Sequence, residues 1–453
     1  MSLLDKVLHF KVSGLAIALI PFFFACDDPT GNGLDLDSTE NPIKVESLEF
    51  ELPSSTIYID SLRTDEYAYS LFGQYQDSIV GSVKALSFNR YNRNSISILQ
   101  GTEADEDSLA YVSSSLVLKI IDARTPGSIS DDIIRVHQAL DTIYNQPVYL
   151  SNREMEYDPE PIGELSFDFD DNSDSILTIP LNEEFGMFMY EKLDKAKDLG
   201  DYRDSLFSNL YHYPALSLIP GESNQGLYHL DLTDDTTRIN IVLQSINTGE
   251  LYTSTFDLVR SHYTQVIRDK STGKLTDLTE DYSVSNVESS LVYLNSIAGV
   301  YPEISLKPFE DFIKANEDFI INRATLTMGV SASPDSLNYV NSLNAFFRKE
   351  NGRINSSGVE LGNGYFSALL SEGAYTGAVQ NPPAAEINFN TDDFNYQKDV
   401  TLFCQELADY YNAFGNPLTE KLVLLNTNRI DLNHSSLIKQ DIKLTIYYTS
   451  LKE

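Results

Sequence analysis

Tryptophan is absent from this chain, and cysteine occurs only at Cys26 and Cys404. The first absence removes the residue that most often stacks a sugar ring, so a carbohydrate site would have to draw on the 27 Tyr. The second excludes a disulfide framework: with Cys26 read below as a lipid attachment point, Cys404 has no partner, and stability must come from packing. Basic residues are also scarce, 32 Lys and Arg against 67 Asp and Glu. Nucleic-acid affinity comes from cations neutralising phosphates, so a chain of net charge −35 is not a nucleic-acid binder. The same field argues against lying on an anionic membrane. No nucleophile elbow, HExxH, Walker loop or dinucleotide fingerprint appears.

Long apolar runs are missing too, with one exception. Val12 to Ala25 is apolar, follows Lys6 and Lys11, and stops at Cys26, with Asp27 and Asp28 next. About 14 residues are too few for a membrane-crossing helix, and Pro21 would kink one, so residues 1–25 are expected to be a lipoprotein signal peptide. Cleavage after Ala25 leaves the Cys26 thiol to be acylated, palmitate included. Phe23 and Phe24 depart from the usual lipobox, and an ordinary secreted chain with a coincidental Cys26 is the alternative. Removing residues 1–25 takes Asp5, Lys6 and Lys11 with them and leaves 30 basic and 66 acidic residues, a net charge of about −36.

Residues 26–44 are rich in Asp, Gly, Asn and Pro without periodicity and read as an acidic flexible tether. Behind it lie short alternating segments rich in Val, Ile, Leu, Tyr and Thr, among them VESLEFEL, SSLVLKIID, GELSFDF, RINIVLQSI, RATLTMGV and DIKLTIYYTS, separated by Gly, Asn, Asp and Pro clusters. That pattern predicts an all-β chain with a few helices, arranged as two β-sandwich domains behind the tether. The length supports two cores. The boundary is placed in the polar stretch Asp194 to Asp204, giving an N-terminal sandwich over 45–200 and a C-terminal one, with amphipathic helices, over 201–453. One helix is expected after Asn182, which caps a stripe of Phe185, Phe188, Met189 and Leu193. A shorter one should carry Leu206, Phe207, Leu210 and Tyr211. A third is expected from near Asp392 to Gly415, with Val400, Phe403, Cys404, Leu407 and Tyr411 on one stripe, which makes Cys404 buried and inert. Two stretches, Asp269 to Glu288 and Gly352 to Ala385, look irregular.

Several blocks then carry a likeness. They are YSLFGQYQDSIVGSVKALSF from Tyr69 to Phe88, LFSNLYHYPALSLIP, RSHYTQVIRDKS, LVYLNSIAGVYPEISLKPF with its Gly299, INRATLTMGV with Asn322, Arg323 and Ala324, EGAYTGAVQ, and KLTIYYTS. In these the chain resembles a family of Bacteroidota outer-membrane surface lipoproteins catalogued as a domain of unknown function, over nearly the whole mature length. His212, Tyr213 and Pro214 depart from the family's pattern. The resemblance implies a jelly-roll-like fold with no assigned activity and no cofactor. The acidic pair Asp27 and Asp28 resembles the surface-export signal of such lipoproteins, which implies an outer-membrane anchor facing outward.

The remaining constellations are weak. Asp168, Asp170, Asn172 and Asp174 alternate as at the start of a calcium loop, but Ser173 stands where Gly is needed and Ile179 where a bidentate Glu is needed, so an acidic hairpin loop is the simpler reading. Glu103, Asp105, Glu106 and Asp107 read as a solvated loop, and Gly362, Asn363 and Gly364 as a hairpin turn. His137, His212, His229, His262 and His434 show no metal-ligand spacing. The expectation is therefore a non-enzymatic cell-surface lipoprotein, a binding or structural subunit of an outer-membrane complex, including one for assembly or export of surface proteins. Its expected partners are outer-membrane lipid through Cys26 and an outer-membrane β-barrel or other surface lipoproteins. The alternative is a glycan-binding or adhesive module using loop tyrosines such as Tyr365 and Tyr375.

Overall fold

The computed structural model describes residues 43–451 apart from 66, 94–108, 126–128, 145–147, 170–174, 199–214, 234–236, 317, 333–338, 349–353, 356–358, 362–363, 367–385 and 415–420. Statements of absence below refer to the described residues. Among the described residues the chain is all-β with three helices, and the strands follow the alternation expected of them. Two strands, β1 (Ile43–Glu51) and β2 (Ser54–Tyr58), come first. Then follow β3 (Tyr69–Asp77), β4 (Gly81–Arg93), β5 (Leu109–Arg124), β6 (Ile129–Gln138), β7 (Gly163–Phe169), β8 (Ser175–Leu181), β9 (Ala215–Pro220), β10 (Leu227–Asp231), β11 (Arg238–Ser245) and β12 (Leu251–Asp269). These ten form one sheet, in which β12, β11, β5, β10, β3 and β4 close into a ring through the β12–β4 pairing.

The rest of the chain builds the second sheet together with β1 and β2. Its strands are β13 (Leu291–Asn295), β14 (Val300–Ile304), β15 (Phe319–Val330), β16 (Ser342–Arg348), β17 (Ile354–Asn355), β20 (Glu386–Asn390), β21 (Asn395–Asp399), β22 (Lys421–Asn426) and β23 (His434–Leu451), while β18 (Val359–Leu361) and β19 (Gly364–Phe366) make a separate hairpin. This sheet closes as well, because β15 pairs with both β21 and β23. Both arrangements are sandwich- or barrel-like. Long strands achieve closure by changing partners: β12 meets β11 at Leu251 to Asp257 and β4 from Phe256 onward, and β23 meets β13 at one end and β1 at the other.

The two sheets do not divide at the expected boundary near residue 200. Strands β9 to β12 follow it yet lie in the same sheet as β3 to β8, and β1 and β2 precede it yet belong to the second sheet. Sheet membership is decided by pairing between residues far apart in sequence, which local composition does not record.

Helix α1 (Glu183–Asp198) starts as expected, with the Asn182 side chain accepting from the Phe185 amide at 2.9 Å and Phe185 and Met189 buried. Helix α2 (Lys307–Ala315), not anticipated, buries Phe309 and Ile313. Helix α3 (Thr401–Phe414) carries Phe403, Cys404 and Leu407 inward, but it begins later than predicted. Residues 392–399 instead form the turn and second strand of the β20–β21 hairpin, where Phe389 pairs with Tyr396 and Tyr396 is buried. The expected helix around Leu206 lies outside the described residues.

Each sheet encloses its own core, one around Phe72, Tyr228 and Phe256, the other around Phe309, Phe347 and Tyr396. A third apolar cluster joins them: Tyr58, Ile297, Val300 and Leu432 from the second sheet meet Leu71, Val83, Leu227 and Val266 from the first, with Leu275 and Leu278 of the connecting segment between. The sites of interest lie along this seam.

Candidate functional site

The seam is polar as well as apolar. Arg268, near the end of β12, reaches from the first sheet into the second. Its Nε donates to the Ile297 carbonyl at 2.7 Å and one terminal nitrogen to the Asp60 carboxylate at 2.6 Å, while its side chain is only 3% exposed. The Tyr58 hydroxyl donates to the same carboxylate at 2.6 Å. Burial pushes the Asp60 carboxyl up, but the Tyr58 hydroxyl and the Arg268 guanidinium outweigh it and hold it below the usual carboxylate range. Two residues on, Lys270 is 8% exposed and its ammonium sits 3.1 Å from the centroid of the Tyr58 ring. Burial, reinforced by the nearby Arg268, pushes the Lys270 amine down to about 7.

Further along, Arg124 donates to the Leu432 carbonyl at 3.3 Å and pairs with Asp77 at 3.2 Å. His229 places Nε2 2.8 Å from the Ile430 carbonyl, and Nδ1 is 3.5 Å from Asp122. Tyr69 packs on the His229 ring at 4.5 Å, and Tyr67 stacks on Tyr69 at 5.7 Å. The Tyr67 hydroxyl accepts from the Arg429 amide at 2.8 Å. Tyr67 also forms one wall of a cleft of about 310 Å³. The other walls are Asp65, Ala68, Leu232, Thr233, Leu258 and His262. Asp65 is held by Arg63 Nε at 2.6 Å, and Leu258 and His262 sit either side of an irregularity in the β12–β4 ladder.

The expected site residues fall mostly elsewhere. Cys26, Asp27, Asp28, Asp170, Asn172, Asp174, His212, Tyr375 and the Glu103 to Asp107 group lie outside the described residues, and of Tyr365 only its place in β19 is described. Asp168 accepts from the Asp131 amide at 3.0 Å. His137 places Nδ1 2.8 Å from the Asp158 carbonyl, as expected of a hydrogen-bonded strand-face residue. His434 pairs with Asn295 in the ladder. Among the described residues no three His, Cys, Asp or Glu side chains converge as metal ligands. Elsewhere the buried Glu303, 1% exposed, is met by Arg348 and by Lys421 at 2.6 Å.

Sequence reasoning missed Arg268, Lys270, Asp65 and Tyr67. A signal existed for the first two. At the end of β12 the apolar Ile267 takes an outward place while Arg268 and, just past the strand, Lys270 turn inward. No family model, curated protein or solved structure matches the chain.

Proposed function

We propose that the protein is a non-enzymatic cell-surface lipoprotein, anchored in the outer membrane through acylated Cys26 and acting as a binding or structural subunit of an outer-membrane complex. The observation that supports this most is an apolar patch beside the point where the tether joins the fold. Val45 on β1 and Ile320 on β15 both lie opposite Thr449 of β23, on its two sides, and Tyr447 stands two residues away on the same face. These three side chains are 68%, 67% and 46% exposed, next to a strand that pairs on one side only. A partner embedded in the same membrane, a β-barrel or another lipoprotein, would meet this end first.

The test is extraction in mild detergent through a carboxyl-terminal tag, with mass spectrometry of what accompanies the chain. A stoichiometric outer-membrane partner, lost when Ile320 is changed to Asp, is the expected result. A native chain that runs alone, or a partner indifferent to both Ile320→Asp and Val45→Asp, overturns the proposal. A second reading, a glycan-binding or adhesive module, is favoured by the cleft that Tyr67 lines.

A further inference from the structure

The cleft beside Tyr67 has a chemistry that narrows what it could hold. Its aliphatic side is Ala68, Leu232 and Leu258, its flat wall is Tyr67, and its polar groups are Asp65, Thr233 and His262. Directly across the ladder from His262 is Asn89, and across from Leu258 is Tyr91. Opposed residues of an antiparallel pair share a face, so these two side chains stand immediately beside the cleft wall. Asn89 is fully buried. Its Nδ2 donates to Ser87 at 2.8 Å, but its Oδ1 has no partner, and neither has the buried Tyr91 hydroxyl. Buried polar atoms left unpaired are uncommon and carry a cost, and these two are sealed behind the residues that line the cleft.

The ligand classes separate on charge and hydrogen bonding. An anion is disfavoured by the Asp65 carboxylate and by a chain of net charge −35. A cation gains little, because Arg63 already balances Asp65. A wholly apolar ligand would strip water from Asp65, Thr233 and His262 without replacing their hydrogen bonds. A neutral polyhydroxy ring suits these walls: its C–H face can lie on Tyr67, and its hydroxyls can donate to Asp65 and exchange hydrogen bonds with Thr233. The volume is at the lower end of the range of about 300–1,000 Å³ found for small-molecule sites, which suits one or two sugar rings.

We propose that this cleft is a saccharide subsite, with Tyr67 as the stacking platform and Asp65 and Thr233 as the hydroxyl partners. This rests on the glycan reading and is independent of the complex-subunit one. It also moves the recognition tyrosine from the 352–385 region to Tyr67.

The experiment is saturation-transfer NMR on the intact chain, in a detergent without a sugar headgroup, against a panel of methyl pyranosides and their disaccharides at millimolar concentration. At least one is expected to show transfer, with its ring protons strongest. Tyr67→Ala should weaken it about tenfold, while Tyr67→Phe, which keeps the ring, should stay within about threefold. Ala68→Trp, at an exposed rim position, should block the cleft without disturbing a core. It serves as the deciding variant if Tyr67→Ala lowers the melting temperature. Binding that survives both Tyr67→Ala and Ala68→Trp would leave a glycan-binding protein but remove this cleft as its site. No transfer from any glycoside to the wild-type chain would remove both.

Discussion

Replacing Lys270 by Met should make the protein more stable at neutral pH, although it deletes a contact. The Lys270 amine titrates near 7 in the folded chain against 10.5 for an unhindered lysine, because burial and the neighbouring Arg268 disfavour its charge. Below pH 7 the folded state must carry a buried ammonium over the Tyr58 ring, with the nearby Asp60 carboxylate offsetting part of the cost. The unfolded state holds its proton more tightly throughout the window from about 7 to 10.5, so unfolding takes up a proton there and stability rises with pH. The penalty is fully present below 7 and disappears above 10.5. At about 1.4 kcal/mol per pH unit the difference of roughly 3.5 units sets a ceiling of about 5 kcal/mol, and we expect about 2–3 kcal/mol once the site relaxes toward water. Methionine keeps the aliphatic stem on Tyr58 without the charge. The assay is urea unfolding followed by far-ultraviolet circular dichroism at pH 7 and pH 9.5, in wild type and Lys270→Met. Other groups titrate equally in both proteins and cancel. The variant should unfold at higher urea at pH 7, with the gap largely closed at pH 9.5. A variant that is destabilised, or whose advantage does not change with pH, would refute the reasoning.

Three further outcomes follow from the geometry. Arg268→Met leaves the Asp60 carboxylate and the Ile297 carbonyl without their shared donor and should cost about 3–5 kcal/mol, seen in calorimetry as the two sheets melting apart. Gly73→Ala should abolish soluble expression or lower the melting temperature sharply, since at φ 122° the new Cβ would lie 2.0 Å from the Gly226 carbonyl oxygen. Cys404 is fully buried, and burial pushes its thiol well above the ordinary range, so the native protein should show no reaction with a thiol reagent at Cys404 until urea is added.

How much of this was legible in the sequence depended on how local the cause was. Strand alternation placed the β-segments, because each side chain's face is set by its own residue number. Asn182 marked the start of α1, because a cap acts within three residues. The stripe from Val400 to Tyr411 identified α3, but the same apolar spacing continued back into 392–399 and hid a hairpin whose partner strand lies across a turn. Helix α2 is only nine residues long, too short for its Phe309, Phe312 and Ile313 stripe to stand out. In the cleft, Leu232 and Thr233 follow β10 while Leu258 and His262 sit on β12, so no spacing brings them together. Tyr67 looks like any other tyrosine until the Tyr69 ring is seen stacked on it.

The chain order of the two sheets carries a last consequence, for what can fold alone. All ten strands of the first sheet lie between β2 and β13, while the second sheet needs β1 and β2 from before them and β13 to β17 and β20 to β23 from after. The first sheet is thus inserted into the second, and its two ends leave from neighbouring points: Ile57 bridges Val284, and the Tyr58 amide donates to the Ser283 carbonyl at 2.9 Å. Insertions with adjacent ends are the kind that a host fold tolerates. A fragment over residues 59–290 should therefore fold cooperatively, though with Leu71, Val83 and Val266 of the seam uncovered it should be less stable and prone to associate. A fragment over 45–200 lacks β9 to β12 and cannot close the ring, so it should be unfolded. Limited proteolysis and circular dichroism of the two fragments separate the cases. A folded 45–200 fragment would mean that the β4–β12 and β5–β11 pairings are dispensable, and that the polar stretch near residue 200 divides the chain after all.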